Sequence, residues 1–182
     1  DLCKLFHFPN ESLLPLCNNV QSFGKMTLDG MTVPLNVVIG DQQAALLGQG
    51  GWDSGSIALN FGTSGSVCVN TGKNPVIVPN LLSSVLTADQ ENMLFMLEGT
   101  INECNSLFYR LEKELYIDHK EMVWHERCMN ESTNGIFIPG VTGIAAPYWK
   151  SGLGTVKIDL ENAKNDEIIR AAMESIGFLV HD

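Results

Sequence analysis

Residues Val37–Gly50 read VVIGDQQAALLGQG: apolar and β-branched residues run into a glycine, an acid and two amides, and then an apolar, helix-like pattern resumes. A strand that ends at Ile39 and turns at Gly40 would present Asp41 and Gln42 at the carboxyl end of a sheet, the rim where α/β proteins place ligands. There the Asp41 carboxylate could accept a proton from a hydroxyl nucleophile, while the Gln42 amide could hold a neighbouring hydroxyl in place. The same spelling suits a plainer use, because Asp before a helix most often satisfies orphan N–H groups, here those of a helix over 42–48. From these residues alone both readings stand.

Outward from this stretch the pattern alternates between the two periodicities and reads as α/β. LCKLFHF and ESLLPLC carry short helical spacing, with Asn10 or Ser12 as N-caps after Pro9, and NVVIG is expected as a buried strand. GSIALNF and GSVCVNTG, separated by Gly62, Thr63 and Ser64, read as a hairpin. NMLFMLEG is a further strand. Leu107, Leu111 and Leu115 then fall at i, i+4 and i+8 and predict an amphipathic helix over 102–116. DHKE opens another helix, with Asp118 as cap and Glu121 three residues on. GIFIPG is a short strand, and Asn165 or Asp166 caps a final helix striped by Ile168, Ala172, Ile176 and Leu179.

A second chemical constellation is NFGTSGSVCVNTG, Asn60–Gly72. Gly62 and Gly65 let backbone approach an anion closely, and Thr63, Ser64 and Ser66 add hydroxyl donors, so the turn fits a backbone nest for phosphate. It fits an ordinary Gly- and Ser-rich hairpin as well. GxxxxGK followed by Ser or Thr is absent, as is GxGxxG after a strand, so P-loop and dinucleotide-binding readings lose their main support.

The 182 residues are 45% apolar, enough for a sizeable core, and a formal net charge of −10 from 21 acids against 11 basic residues disfavours nucleic-acid and anionic-membrane partners. Cys3, Cys17, Cys68, Cys104 and Cys128 are odd in number and never in CxxC spacing, which argues against a disulfide framework or structural zinc and for a reducing, cytoplasmic setting. No apolar run of about 18 residues and no leader pattern is present. The start at Asp1 and the stop within a helical pattern at Asp182 read as cut ends. His125 and Cys128, at i and i+3, are two ligands and not a metal site, and no metal residues are assigned. The acceptor pattern NES at Asn10 and Asn130 reads as chance.

The order of GDQQAALLGQG, FGTSG with VNTG, LEGTI, GIFIPGVTGIAAPYW and EIIRAAMESIGF resembles the FGGY carbohydrate kinases, most closely their glycerol kinase branch. The resemblance runs from about Val37 to the C-terminus. It implies a ribonuclease H-like (actin/hexokinase-like ATPase) domain, a mixed sheet flanked by helices, with residues 1–35 as the tail of a first domain and hinge and 36–182 as part of the nucleotide-binding second domain. It implies ATP and Mg²⁺ as cofactors and a polyol or sugar as substrate, with Asp41 as catalytic base, Asp41 and Gln42 as substrate ligands, and Gly62 and Thr63 on the ATP phosphates. It is compatible with a homodimer and with a non-catalytic, actin-like nucleotide-binding module or a degenerate kinase. Some residues depart from the family pattern. Ser66 stands where glycerol kinases carry an aromatic residue, Asn105 and Tyr109 stand where Gly and Gln face the nucleotide, and Lys150, Ser151, Ile158 and Asp159 replace much of the second signature.

Overall fold

The computed structural model describes residues 2–182. A short helix α1 (Leu2–Leu5) and a 3-10 turn (Asn10–Ser12) begin the chain. Pro9, in extended conformation, occupies the N-cap of that turn and no side chain caps it, so neither Asn10 nor Ser12 takes the expected role. β1 (Lys25–Leu28) and β2 (Met31–Pro34) pair antiparallel around Asp29-Gly30. Both turn residues have positive φ, 48° and 78°, as a tight hairpin turn matching the strand twist requires. Every residue of this hairpin is exposed.

NVVIG does not form the expected buried strand. Val37 makes one antiparallel bridge to Val20, and Val37 and Val38 are about half exposed. A strand is buried by partners along its edges and layers over its faces, and here a single bridge supplies the pairing. The segment is nonetheless held: the Val38 N–H donates to Asn19 O, and Asn19 Oδ1 accepts from the Ala88 N–H. Gly40 is the extended N-cap of α2 (Asp41–Gly48).

The central sheet holds β3 (Ile57–Phe61), β4 (Gly65–Gly72), β5 (Leu82–Ala88) and β6 (Met93–Ile101) in the order β3-β4-β6-β5. Asp89 turns the chain between β5 and β6, its Oδ1 accepting from the Glu91 and Asn92 N–H groups. On one face Ala58, Cys68, Leu86 and Met96 are buried with Leu46 of α2. The other face looks toward the end of the last helix across a cavity of about 270 Å³ lined by Val67, Val69, Leu97, Leu179 and Val180.

Beyond the sheet come α3 (Asn105–Glu114), a 3-10 turn (His119–Glu121), α4 (Trp124–Asn130), the hairpin of β7 (Ile136–Gly140) and β8 (Gly154–Ile158), and α5 (Asn165–His181). Asp118 caps as expected, accepting from the Lys120 N–H, but the element it opens is one 3-10 turn and not the start of a helix. The cap of α5 is Lys164, whose N–H donates to Glu167. Asp166 is drawn instead to Arg127 and Asn130 of α4. The stripes on α3 and α5 meet in the larger core, where Leu107, Leu111, Ile169 and Ala172 are fully buried beside Phe137. Glu103, also buried, pairs with Arg110 at 2.7 Å, and Arg110 reaches across to Thr155 of β8 at 2.8 Å.

The sheets differ from expectation in one respect. Every pairing among the described residues is antiparallel, so the sheet seen is not the mixed one anticipated. β1–β2, β3–β4 and β5–β6 are joined by turns far shorter than the dozen residues or more that a parallel crossover needs.

Candidate active site

Asp41 is the first residue of α2 and is exposed, its Oδ1 accepting from the N–H of Gln42 at 2.8 Å. It does not hold the N-cap, which belongs to Gly40, so the capping use of this acid is met only through that adjacent amide. Gln42 is partly buried, and its Oε1 accepts from Ser66 Oγ at 2.7 Å. Ser66 is 1% exposed and lies one position beyond Gly65, where β4 leaves the hairpin turn. The N-terminus of α2 is therefore moored beside the tip that carries Gly62 and Thr63. Ser66 lies three positions from Thr63, a reach of at most about 10 Å by strand rise.

The hairpin tip is exposed, and its geometry departs from the expected nest. The Gly62 N–H is turned inward, donating to Ser64 O at 2.8 Å, and no positive φ is found at Gly62 or Gly65. The carbonyls of the tip cap α3: Thr63 O accepts from the Cys104 and Ser106 N–H groups and from Ser106 Oγ at 2.7 Å, and Gly62 O accepts from the Asn105 N–H. The amides and hydroxyls of Thr63 and Ser64 have no protein partner among the described residues. Four exposed donors at a turn suit the oxygens of a phosphate chain. Gly65 allows the tip to seat, because a Cβ there would meet Cys104 Sγ at 2.6 Å.

No hydrogen bond among the described residues joins Asp41 or Gln42 directly to Gly62 or Thr63; Ser66 is the link. Glu98 of β6 pairs in register with Cys68, and its carboxyl is held above the ordinary range, first by burial and then by the nearby Asp41 carboxylate. This second acid was missed in the sequence, since only strand pairing brings it near Asp41. Among the described residues no three His, Cys, Asp or Glu side chains converge as a metal site. A cavity of about 650 Å³ lies behind this edge against Gly40 and Gln43, and none of the four expected site residues lines it.

Asn70 is another residue whose part the sequence did not disclose. It is fully buried; its amide donates to Gly51 O and Trp52 O, and its Oδ1 accepts from the N–H of Gly72, which has φ 75°. Its role is to tie the loop after α2 to β4, and the signal was the NTG triplet itself, with Gly where positive φ is required. Asn105 and Tyr109 border a cavity of about 240 Å³ with Phe108, Glu112, His119 and Trp124. Tyr148 and Trp149 are half exposed and tie down the loop, Tyr148 Oη donating to Asp182 and Trp149 Nε1 to Asn80 O.

Residues 57–182 match the family model described as the FGGY family of carbohydrate kinases, C-terminal domain. The whole chain is 30% identical to glycerol kinase 1 of Thermotoga maritima and 30% identical to the glycerol kinase of Thermococcus gammatolerans, covering 38% of each. The chain thus spans under two-fifths of the length of the curated relatives it matches. Among solved structures, the glycerol kinase of Plasmodium falciparum with ADP superposes with a TM-score of 0.80 at 29% identity, over 98% of this chain and 37% of that one. The ligand-bound xylulose kinase from Lactobacillus acidophilus superposes with a TM-score of 0.75 at 20% identity, over 100% of this chain and 39% of that one, a likeness of fold.

Proposed function

This chain belongs to the FGGY family of carbohydrate kinases and has their actin/hexokinase-like ATPase fold, and from that premise we propose that it serves ATP- and Mg²⁺-dependent phosphoryl transfer to a hydroxyl of a polyol or sugar. The observation that carries this reading is the 2.7 Å bond from Ser66 to Gln42, which sets the Asp41 carboxylate and the hairpin tip on one edge. Phosphoryl transfer asks little covalent chemistry of protein; it needs an aligned hydroxyl, a proton acceptor and donors around the moving group. Bound ATP with its metal supplies the phosphoryl group and neutralises its charge. Asp41 takes the proton of the attacking hydroxyl, Gln42 orients the substrate, and Gly62 and Thr63 meet the phosphates, Thr63 through its free amide and hydroxyl. The inward-turned Gly62 N–H leaves Gly62 the role of permitting close approach.

Residues 1–35 form the tail of a first domain and hinge, and 36–182 part of the nucleotide-binding domain. The exposed β1–β2 hairpin supports this division. The 182-residue chain alone is expected to be inactive, since the short share of its relatives that it covers leaves the substrate with one wall. The complete kinase works in the cytoplasm and is compatible with a homodimer. The test is a panel of glycerol, pentuloses, hexonates and heptuloses with ATP and Mg²⁺, read by ADP release. Turnover of one class by the complete kinase, and none by the isolated chain, is the expected result. Silence across the panel favours the alternative, a nucleotide-binding module without catalysis.

A further inference from the structure

Ser66 occupies the position where the sequence suggested a residue facing substrate, yet it is 1% exposed and closed off beneath Gln42. Its single proton is committed to Gln42 Oε1 at 2.7 Å. On its other side Cys68 Sγ lies 3.8 Å from Ser66 Oγ, a weak donor aimed at the hydroxyl's lone pair. Burial pushes the Cys68 thiol up, the Glu98 carboxylate adds to the effect and the Ser66 bond opposes it, so near neutrality the sulfur keeps its proton and remains a donor. The relay therefore has one direction: thiol to hydroxyl to amide carbonyl.

An amide whose carbonyl is engaged from below has only its NH₂ group left to offer outward. Among the described residues the Gln42 Nε2 has no protein partner. We infer that Ser66 is a positioning residue for acceptor-substrate selectivity: it fixes Gln42 with its donors outward, so that the site selects a substrate oxygen that accepts a hydrogen bond beside the reacting hydroxyl. This rests on the proposed role of Gln42 in the kinase reaction. An amide free to turn over would present carbonyl or NH₂ alike, and would tolerate a substrate donor as readily as an acceptor. The selectivity thus resides in a buried hydroxyl that never touches the substrate. A site built to hydrogen-bond an oxygen rejects the analogue lacking it, because its own polar group is then left unpaired.

The experiment compares wild type, S66A, S66T, S66C, Q42A and D41N in the complete kinase. The acceptor is glycerol or D-xylulose, whichever the wild type turns over, together with the deoxy and methyl-ether analogues of each. S66A is expected to raise acceptor KM about five- to tenfold, the worth of one hydrogen bond, with kcat and the KM for ATP within about twofold. It should also shrink the discrimination against the deoxy analogue. S66T, which keeps the hydroxyl, should restore both. S66C, close in size but a weak donor, should read the same loss should S66A not fold. Unchanged acceptor KM in S66A and S66C while Q42A raises it would overturn the inference and leave the kinase reading standing. A common fall in kcat with KM unmoved would also overturn it. Full turnover in both Q42A and D41N would remove the roles given to Asp41 and Gln42 and the inference with them, and a wild type silent on both acceptors would remove the kinase assignment itself.

Discussion

Beneath α2, the cluster of Leu46, Ala58, Cys68, Leu86 and Met96 is small, and two buried polar side chains, Ser66 and Asn70, stand beside it. Beneath α5, the cluster built from α3, α4, β7 and α5 is several times larger and, apart from Glu103 and Ser175, closes over apolar groups. The smaller cluster places chemistry: its polar neighbours orient Gln42 and hold the loop after α2. The larger one fixes the helix that the hairpin tip caps. The edge proposed for catalysis thus rests on the smaller apolar cluster and lies beside the larger one.

The sharpest division of labour is expected at Asp41. Asp41→Asn should lower kcat of the complete kinase about 10²- to 10⁴-fold, the usual contribution of a general base, without lowering Tm, because the side chain is exposed and its charge disfavours the nearby Glu98 carboxylate. A lower Tm, or retained kcat, would break the contrast at its functional end. Next comes a matched pair. Leu46→Ala and Leu111→Ala each empty a fully buried site and should each cost about 3–4 kcal/mol in chemical denaturation. Only Leu46→Ala should also raise acceptor KM; a shift of KM in both would merge the two regions.

Gly65→Ala tests the seam between them. The added methyl would press on Cys104 Sγ at 2.6 Å, and a loss of about 1–3 kcal/mol is expected from overpacking, measured by urea unfolding. The smallest effect concerns Glu98. Its folded carboxyl titrates above the ordinary glutamate range, so between the ordinary pKa and the raised one the folded state binds more protons than the unfolded state. Stability then falls as pH rises through that window and stays lower at neutrality. Glu98→Gln should remove that slope and raise Tm at pH 7 but not at pH 4, seen by thermal melts across pH. A Tm rise of equal size at both pH values would refute the raised Glu98 carboxyl, held up first by burial and then by Asp41, as its origin.

Much of the fold was legible where the signal was local. The hairpin around Gly62–Ser64 and the stripes of α3 and α5 followed from period and turn residues within single windows. The Asp29-Gly30 hairpin was equally local and was passed over, since its flanks, KMTL and MTVP, lack a buried face to mark them. NVVIG failed for the opposite reason: its apolar spelling promised burial, but burial depends on partners that a window does not contain. The α5 cap was misplaced because Asp166 answers to Arg127, 39 positions earlier. For the candidate site, Asp41, Gln42, Gly62 and Thr63 are expected from the family resemblance, while their motifs alone leave plainer readings open. The Ser66 to Gln42 bond spans 24 positions and the Asn70 contacts 18 and 19, distances over which one sequence carries no pairing information.

Thr63 gives its carbonyl to three donors at the start of α3, and Arg110, further along that helix, grips Thr155 in the far hairpin. Tip, helix and outer hairpin therefore behave as one lever. A displacement of the tip large enough to admit or expel a bulky anion must either uncap α3 or swing its whole length, about 15 Å, and drag the opposite edge along. Stiffness at the tip is in this sense borrowed from a part of the molecule that never meets the ligand.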